Sequence, residues 1–184
     1  VKLEAVMTYR MRLYLNRMHK LDSNVCVAVN HTSHNRIVRD GFRLVSRLGD
    51  GLFWYALMLG LLLFMGTAAL LPVGHMAATG LIGTLLYKWI KGKTLRPRPY
   101  AVRQEIFLSG TPLDKFSFPS GHTLHAVVFS TVALSYYPQL AIILMPLTIL
   151  IALSRVVLGL HYPSDVLAGA LIGAGVAGLS FLIL

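Results

Sequence analysis

From residue 52 onward the chain is written almost wholly in apolar letters, in runs long enough to cross a lipid bilayer. Residues 52–71 and 166–184 contain no Asp, Glu, Lys, Arg or His. Residues 73–90 are interrupted only by His75 and Lys88, and 139–160 form another long run, while 122–137 fall short of the ~20 residues that span a bilayer core. In hydrocarbon every backbone N–H and C=O needs a partner within the protein, which leaves helices as the structure such runs can adopt. The expected fold is therefore all-α: a polytopic membrane helix bundle of about five spans, occupying residues 51–184. Charged residues make up only 13% of the chain, against about a quarter in soluble domains. Gly169 and Gly173, beside Ala170 and Ala174, repeat small residues every four positions, the spacing that lets helices approach closely in lipid.

Residues 1–50 read differently. Leu3, Met7, Met11, Tyr14, Met18 and Leu21 recur at steps of three and four, with Lys2, Arg12, His19 and Lys20 off that stripe and Arg10 and Arg17 at its edge. "RIVRDGFRLVSRL" (36–48) sets Arg36, Arg39, Arg43 and Arg47 against Ile37, Val38, Phe42, Val45 and Leu48. Both read as N-terminal amphipathic helices lying in the membrane interface. The other reading is a pair of helices packed on soluble parts of the protein. The net charge of +10 suits anionic lipid headgroups at this segment, or a phosphorylated substrate. No nucleic-acid-binding module is legible, so nucleic acid is not an expected partner. The single cysteine, Cys26, excludes an intrachain disulfide, and these 50 residues contain no signal-peptide core.

Three polar clusters interrupt the apolar text, each at the end of a span. They are "KGKTLRPRPY" (91–100), "FPSGHTLHA" (118–126) and "SRVVLGLHYPSD" (154–165). Counting crossings puts all three on one face of the membrane, where they form a shallow rim pocket. Ionisable groups at membrane depth are costly, so their default reading is functional. Lys91, Arg98 and Arg155 supply permanent positive charges, and guanidinium forks match phosphate oxygens. Pro119 to His122 reads as a turn into a helix, whose first amides, with the Ser120 hydroxyl and the open backbone at Gly121, can hold an oxyanion. Asp165, four residues after His161, can accept from one ring nitrogen and leave the other as nucleophile or base. His122 is then available to protonate a leaving oxygen. These are the parts of phosphoryl transfer through a phosphohistidine, with cations doing the work a metal does elsewhere.

The motifs resemble those of the type 2 phosphatidic acid phosphatase superfamily, which shares its core with vanadium haloperoxidases. That signature reads Lys-x6-Arg-Pro, Pro-Ser-Gly-His, then Ser-Arg-x5-His-x3-Asp. It is met by Lys91 through Arg98-Pro99, by Pro119 to His122, and by Ser154-Arg155 with His161 and Asp165. The resemblance implies a lipid phosphatase with His161 as nucleophile, Asp165 orienting it and His122 as general acid. It implies that Lys91, Arg98, Ser120, Gly121 and Arg155 hold the phosphoryl group, with neither metal nor other cofactor. The implied substrates are lipid phosphates or diphosphates such as undecaprenyl diphosphate, phosphatidylglycerol phosphate or phosphatidic acid. Bacterial members commonly have six spans where this chain shows five, and the long insertion of larger members is absent.

Alternatives remain at this point. A lipid phosphotransferase shares every signature residue, and a non-catalytic transporter or lipid-binding protein could use the same cations. His125 can face the pocket, but it and His122 lack the carboxylate or cysteine that would make a metal site. Lys93 and Arg96 read as rim charges that are either solvated or in touch with the outer part of a substrate. His75 is expected at the turn between the first two spans, facing headgroups, and His19, His31 and His34 in solvated positions. Trp54, Tyr55, Trp89 and Tyr100 lie near span ends, where aromatic belts form. The basic stretch 1–50 shares the motifs' face, so the positive-inside rule puts the site in the cytoplasm, whereas many bacterial relatives work on the outer side.

Overall fold

A computed structural model describes residues 17–183. Among these residues the chain is helical nearly throughout, with one isolated bridge between Pro97 and Phe116 as its only β pairing. The elements are α1 (17–30), a 3-10 turn His31–His34, α2 (Arg36–Leu48), α3 (Leu52–Met65), a 3-10 turn Gly66–Ala69 and α4 (Leu70–Thr94). There follow α5 (Pro99–Val102), α6 (Gly121–Tyr136), a 3-10 turn Pro138–Leu140, α7 (Ala141–Val157) and α8 (Pro163–Ser180). The stripe expected over residues 3–21 lies mostly outside the described residues.

Three stretches are long and apolar enough to cross a membrane: Leu52–Thr94 with 43 residues, Pro138–Val157 with 20 and Pro163–Ser180 with 18. This is fewer than the five expected, for two reasons. The first two expected spans are one helical stretch, bent at Gly66 (φ 57°), which no side chain would favour. The third, α6, has 16 residues and rises about 24 Å, less than the ~30 Å of a hydrocarbon core. The bend also falls six residues before the expected turn at Pro72. Pro72 is the third residue of α4, where its missing N–H leaves no helical bond unmade.

His75 therefore sits inside α4 rather than in a turn, and it is buried, not at the headgroups. The Ser180 hydroxyl donates to Ala177 O at 2.6 Å, so His75 Nε2–H donates to Ser180 Oγ at 2.7 Å. Nδ1 then accepts from the Tyr136 hydroxyl at 3.0 Å. This knot ties α4, α6 and α8 together at the end remote from the three motifs.

The bundle is built around α6, which packs against α4, α7 and α8. The small residues of α8 are used as their spacing suggests. A methyl on Gly169 would stand 2.5 Å from Ser120 O, and one on Gly173 2.6 Å from Leu124 O, so α8 lies directly on the α6 backbone. Trp54 departs from its expected belt position: it is buried and stacks on Phe129 with ring centroids 5.3 Å apart, in the core with Met58, Met76 and Leu144. Tyr55 and Trp89 are exposed as a belt requires. Leu63, Phe64, Ile142 and Ile149 also point outward, the apolar-out pattern of a protein solvated by lipid.

Helices α1 and α2 pack on the motif end of the bundle. Asn30 of α1 donates to Val157 O (2.8 Å) and Phe107 O (3.0 Å) and accepts from Phe107 N (2.8 Å). α2 starts on its Asn35 cap, which accepts from Ile37 N and Val38 N, and lies along α7.

Candidate active site

Each motif is delivered by a helix end. Lys91 is in the last turn of α4, which ends at Leu95 in a left-handed conformation (φ 48°) so that Arg98 can run back beneath it. Ser120 caps α6 and places Gly121 and His122 in its first turn. Arg155 is in the last turn of α7, Gly159 (φ 73°) reverses the chain, and Asp165 sits in the first turn of α8 after Pro163. One cavity of about 370 Å³ is lined by Lys91, Arg98, Gly121, His122, Arg155 and His161. Its walls continue between α3, α4 and α6 along Tyr55, Met58, Leu81 and Phe129. Two predicted residues stand behind that lining. The Ser120 hydroxyl is buried on Thr123, with Oγ1 at 3.0 Å, and Asp165 lies beneath His161.

His161 is almost fully buried, and its two nitrogens face different partners. Nε2 accepts from Arg98 Nη1 at 3.3 Å, which leaves the ring proton on Nδ1. Nδ1 is 3.6 Å from Asp165 Oδ2 and has no hydrogen-bond partner among the described residues. Less than an ångström separates that distance from an ordinary N–H···O bond. Burial, with Arg155, Arg98 and Lys91 adding to it, holds the His161 imidazole well below its ordinary pKa. The ring is therefore neutral at pH 7, with the Nε2 lone pair turned toward the cations.

Asp165 is held from below. Its Oδ2 accepts from Tyr162 N at 2.8 Å and its Oδ1 from Arg96 Nη1 at 2.6 Å. Arg96 also donates to Asp22 of α1 at 2.7 Å and to Ser164 Oγ at 2.7 Å, with its guanidinium 4.1 Å over the Tyr162 ring. Arg96 thus acts neither as a solvated rim charge nor as an outer contact; it grips the site's carboxylate.

Three further side chains in contact with the motifs went unread in the sequence. His122 Nε2–H donates to Asp50, and this bond, with a smaller contribution from Arg155, keeps the Asp50 carboxyl below its ordinary pKa despite partial burial. Arg155 donates to Ser46 of α2. Asp114, in the loop before α6, bridges Lys91 Nζ (2.7 Å) and Arg98 Nη2 (2.9 Å), and its carbonyl accepts from Arg98 Nε (2.9 Å). Burial opposes ionisation of Asp114, but the two cations outweigh it and its pKa is lowered. A signal for the acids did exist. The chain has only seven Asp and Glu, so an isolated aspartate near a motif has few solvated reasons to be there.

His125 is on the cavity wall. Nδ1 lies 3.0 Å from Gly121 O, one turn back in α6, and Nε2 lies 2.9 Å from Thr84 Oγ1, which joins α6 to α4. His31 and His34 are exposed on their 3-10 turn, and His19 is exposed on α1.

A profile of the PAP2 superfamily matches residues 51–184. Over 155 residues the chain is 31% identical to undecaprenyl-diphosphatase BcrC of Bacillus subtilis, covering 84% of this chain and 79% of that protein. It is 30% identical to a lipid A 1-phosphatase of Rhizobium etli over 103 residues, 54% of this chain and 44% of that protein. The solved structure of LpxE from Aquifex aeolicus matches with a TM-score of 0.75 at 28% identity, over 86% of this chain and 93% of that one. A transmembrane PAP2 type phosphatidylglycerolphosphate phosphatase from Bacillus subtilis matches the fold with a TM-score of 0.66 at 24% identity, over 91% and 86% of the two chains. Profile, relatives and fold agree with the resemblance carried by the three motifs, and the chain belongs to the PAP2 superfamily of phosphatases.

Proposed function

We propose that this chain hydrolyses a lipid phosphomonoester or diphosphate, without a metal, through a phosphohistidine on His161. The observation that carries the reading is the neutral His161 Nε2 facing Arg98 in a cavity shared with Lys91 and Arg155. The three cations hold the equatorial oxygens and neutralise charge as the transition state forms. The Gly121 amide and the α6 N-terminus assist, with Ser120 shaping that turn. The Nε2 lone pair forms the N–P bond as the bond from phosphorus to the leaving oxygen breaks, the lipid oxygen of a monoester or the bridging oxygen of a diphosphate, and His122 gives a proton to that oxygen. Asp165, with Arg96 beneath it, receives the Nδ1–H and steadies the ring. Water then attacks phosphorus, His122 takes its proton, and inorganic phosphate leaves with His161 restored.

The relatives point to lipid carriers of phosphate, and the apolar cavity wall between α3, α4 and α6 suits a tail that stays in the bilayer. In this reading α3 and α6 serve as short crossings, giving five in all, with α1 and α2 lying at the interface of a bacterial inner membrane. The test is phosphate release by the purified protein in detergent with excess chelator. The probes are undecaprenyl diphosphate, phosphatidic acid and phosphatidylglycerol phosphate. Chelator-resistant release from at least one is expected, and no release from any of them refutes the hydrolase.

The charge distribution favours a cytoplasmic site. The remote end, comprising Gly66–Ala69, Pro138–Leu140 and residues 181–183, carries no Lys or Arg. Of two reporters fused to the C-terminus, the one that works only in the periplasm is expected to be active. A cytoplasm-only signal would reverse the orientation.

A further inference from the structure

Asp114 has no place in the chemistry above, yet it occupies two of the three cations that the chemistry needs. Its carboxylate spans Lys91 and Arg98, and its own carbonyl fixes the Arg98 Nε. The residue is part-exposed, in a loop outside any helix, so its side chain can be displaced without unpacking the bundle. Any phosphoryl group that binds Lys91 and Arg98 has to compete with it.

That competition depends on charge. A phosphomonoester, or the end of a diphosphate, carries close to two negative charges at pH 7 and three terminal oxygens. Exchanging the carboxylate for it adds about one unit of charge among Lys91, Arg98 and Arg155 and gives each cation an oxygen. A phosphodiester headgroup carries one charge and two free oxygens. Exchanging the carboxylate for that swaps one ion pair for another, while both groups are desolvated and the loop is disturbed. A membrane enzyme meets diester headgroups in large excess over any monoester, so a bare triad of cations would fill with bulk lipid. We propose that Asp114 is a specificity residue, an internal anion that excludes phosphodiester lipids from the phosphate site and yields to dianionic phosphate ends. Displacing Asp114 costs either ligand the same; that cost holds a phosphodiester below occupancy at bulk mole fraction, while the stronger attraction of a dianionic end for the three cations exceeds it.

The inference rests on the phosphatase reading, and its test separates the two. Binding is measured on the His161→Ala protein, where turnover plays no part, with short-chain phosphatidic acid and short-chain phosphatidylglycerol as probes in neutral detergent micelles. With Asp114 present the phosphatidic acid is expected to bind at least about tenfold more tightly. In the His161→Ala, Asp114→Asn protein phosphatidylglycerol is expected to bind about tenfold more tightly, and phosphatidic acid by a similar factor, because each is spared the displacement of the carboxylate. Asp114→Ser serves as a second variant whose smaller side chain removes the same charge. With His161 intact, phosphatidylglycerol is expected to inhibit the Asp114→Asn enzyme at about a tenth of the mole fraction that inhibits the parent. Equal binding of the two lipids with Asp114 present overturns the proposal without any variant of that residue. Phosphatidylglycerol binding that is no tighter in either variant does so too. Failure of the parent protein to release phosphate would refute the phosphatase reading, leaving the binding comparison to decide the role of Asp114.

Discussion

Replacing His161 by alanine is expected to lower turnover on every lipid substrate by about 10⁴-fold or more, the loss typical of removing a covalent nucleophile. The imidazole is the ring whose Nε2 lone pair faces Arg98 in the cavity shared with Lys91 and Arg155. The remaining charges can still bind the phosphoryl group, so residual hydrolysis by direct attack of water is expected, with no covalent intermediate. The decisive readout is the intermediate itself. Rapid quenching with labelled substrate should trap an acid-labile, alkali-stable phosphoenzyme in the parent protein and none in His161→Ala. Arg98 keeps its bond to Leu160 O (2.7 Å) and its ion pair with Asp114 when the ring is removed. The variant should therefore elute at the parent's size. A phosphoenzyme that persists in His161→Ala would move the nucleophile elsewhere.

The parts of this site that the sequence makes legible are those tied to helix ends. A motif at the end of an apolar run reads as lying on one membrane face, so counting crossings in the sequence places residues 91, 122, 155 and 161 together, and one cavity holds all four. What holds them is much less legible. Asp50, Asp114 and Ser46 reach the site from loops and from α2, and no periodicity predicts where an irregular segment points. Arg96 lies two residues from Arg98 and reads as another rim cation, but its guanidinium reaches Asp165 and Asp22 while that of Arg98 reaches His161 and Asp114. The misplaced turn has a similar origin. Pro72 is a strong breaker in text, but at the third position of a helix it breaks nothing, and Gly66 bends the chain instead. His75 follows from that shift, since moving the bend back to Gly66 places it inside α4.

Removing the second histidine should separate substrates by their leaving groups. His122→Ala is expected to slow phosphoenzyme formation from a lipid phosphomonoester by 10²–10⁴-fold, roughly the contribution of a positioned general acid. The departing oxygen in that case becomes an alkoxide, which needs the proton. A diphosphate releases a phosphate anion, and an aryl phosphate releases a phenolate, both stable without it. For those the first step should slow by less than about tenfold. The second step has no such escape, because water still needs a base, so the phosphoenzyme should accumulate as a burst ahead of slow release. Asp50 supports the same function through its bond to His122 Nε2. Asp50→Asn is expected to slow phosphoenzyme formation from an alkyl phosphate more than from an aryl phosphate, because His122 loses the carboxylate that orients its ring. Equal slowing of phosphoenzyme formation from alkyl and aryl phosphates in His122→Ala would mean that the ring binds the phosphoryl group rather than protonating the leaving oxygen.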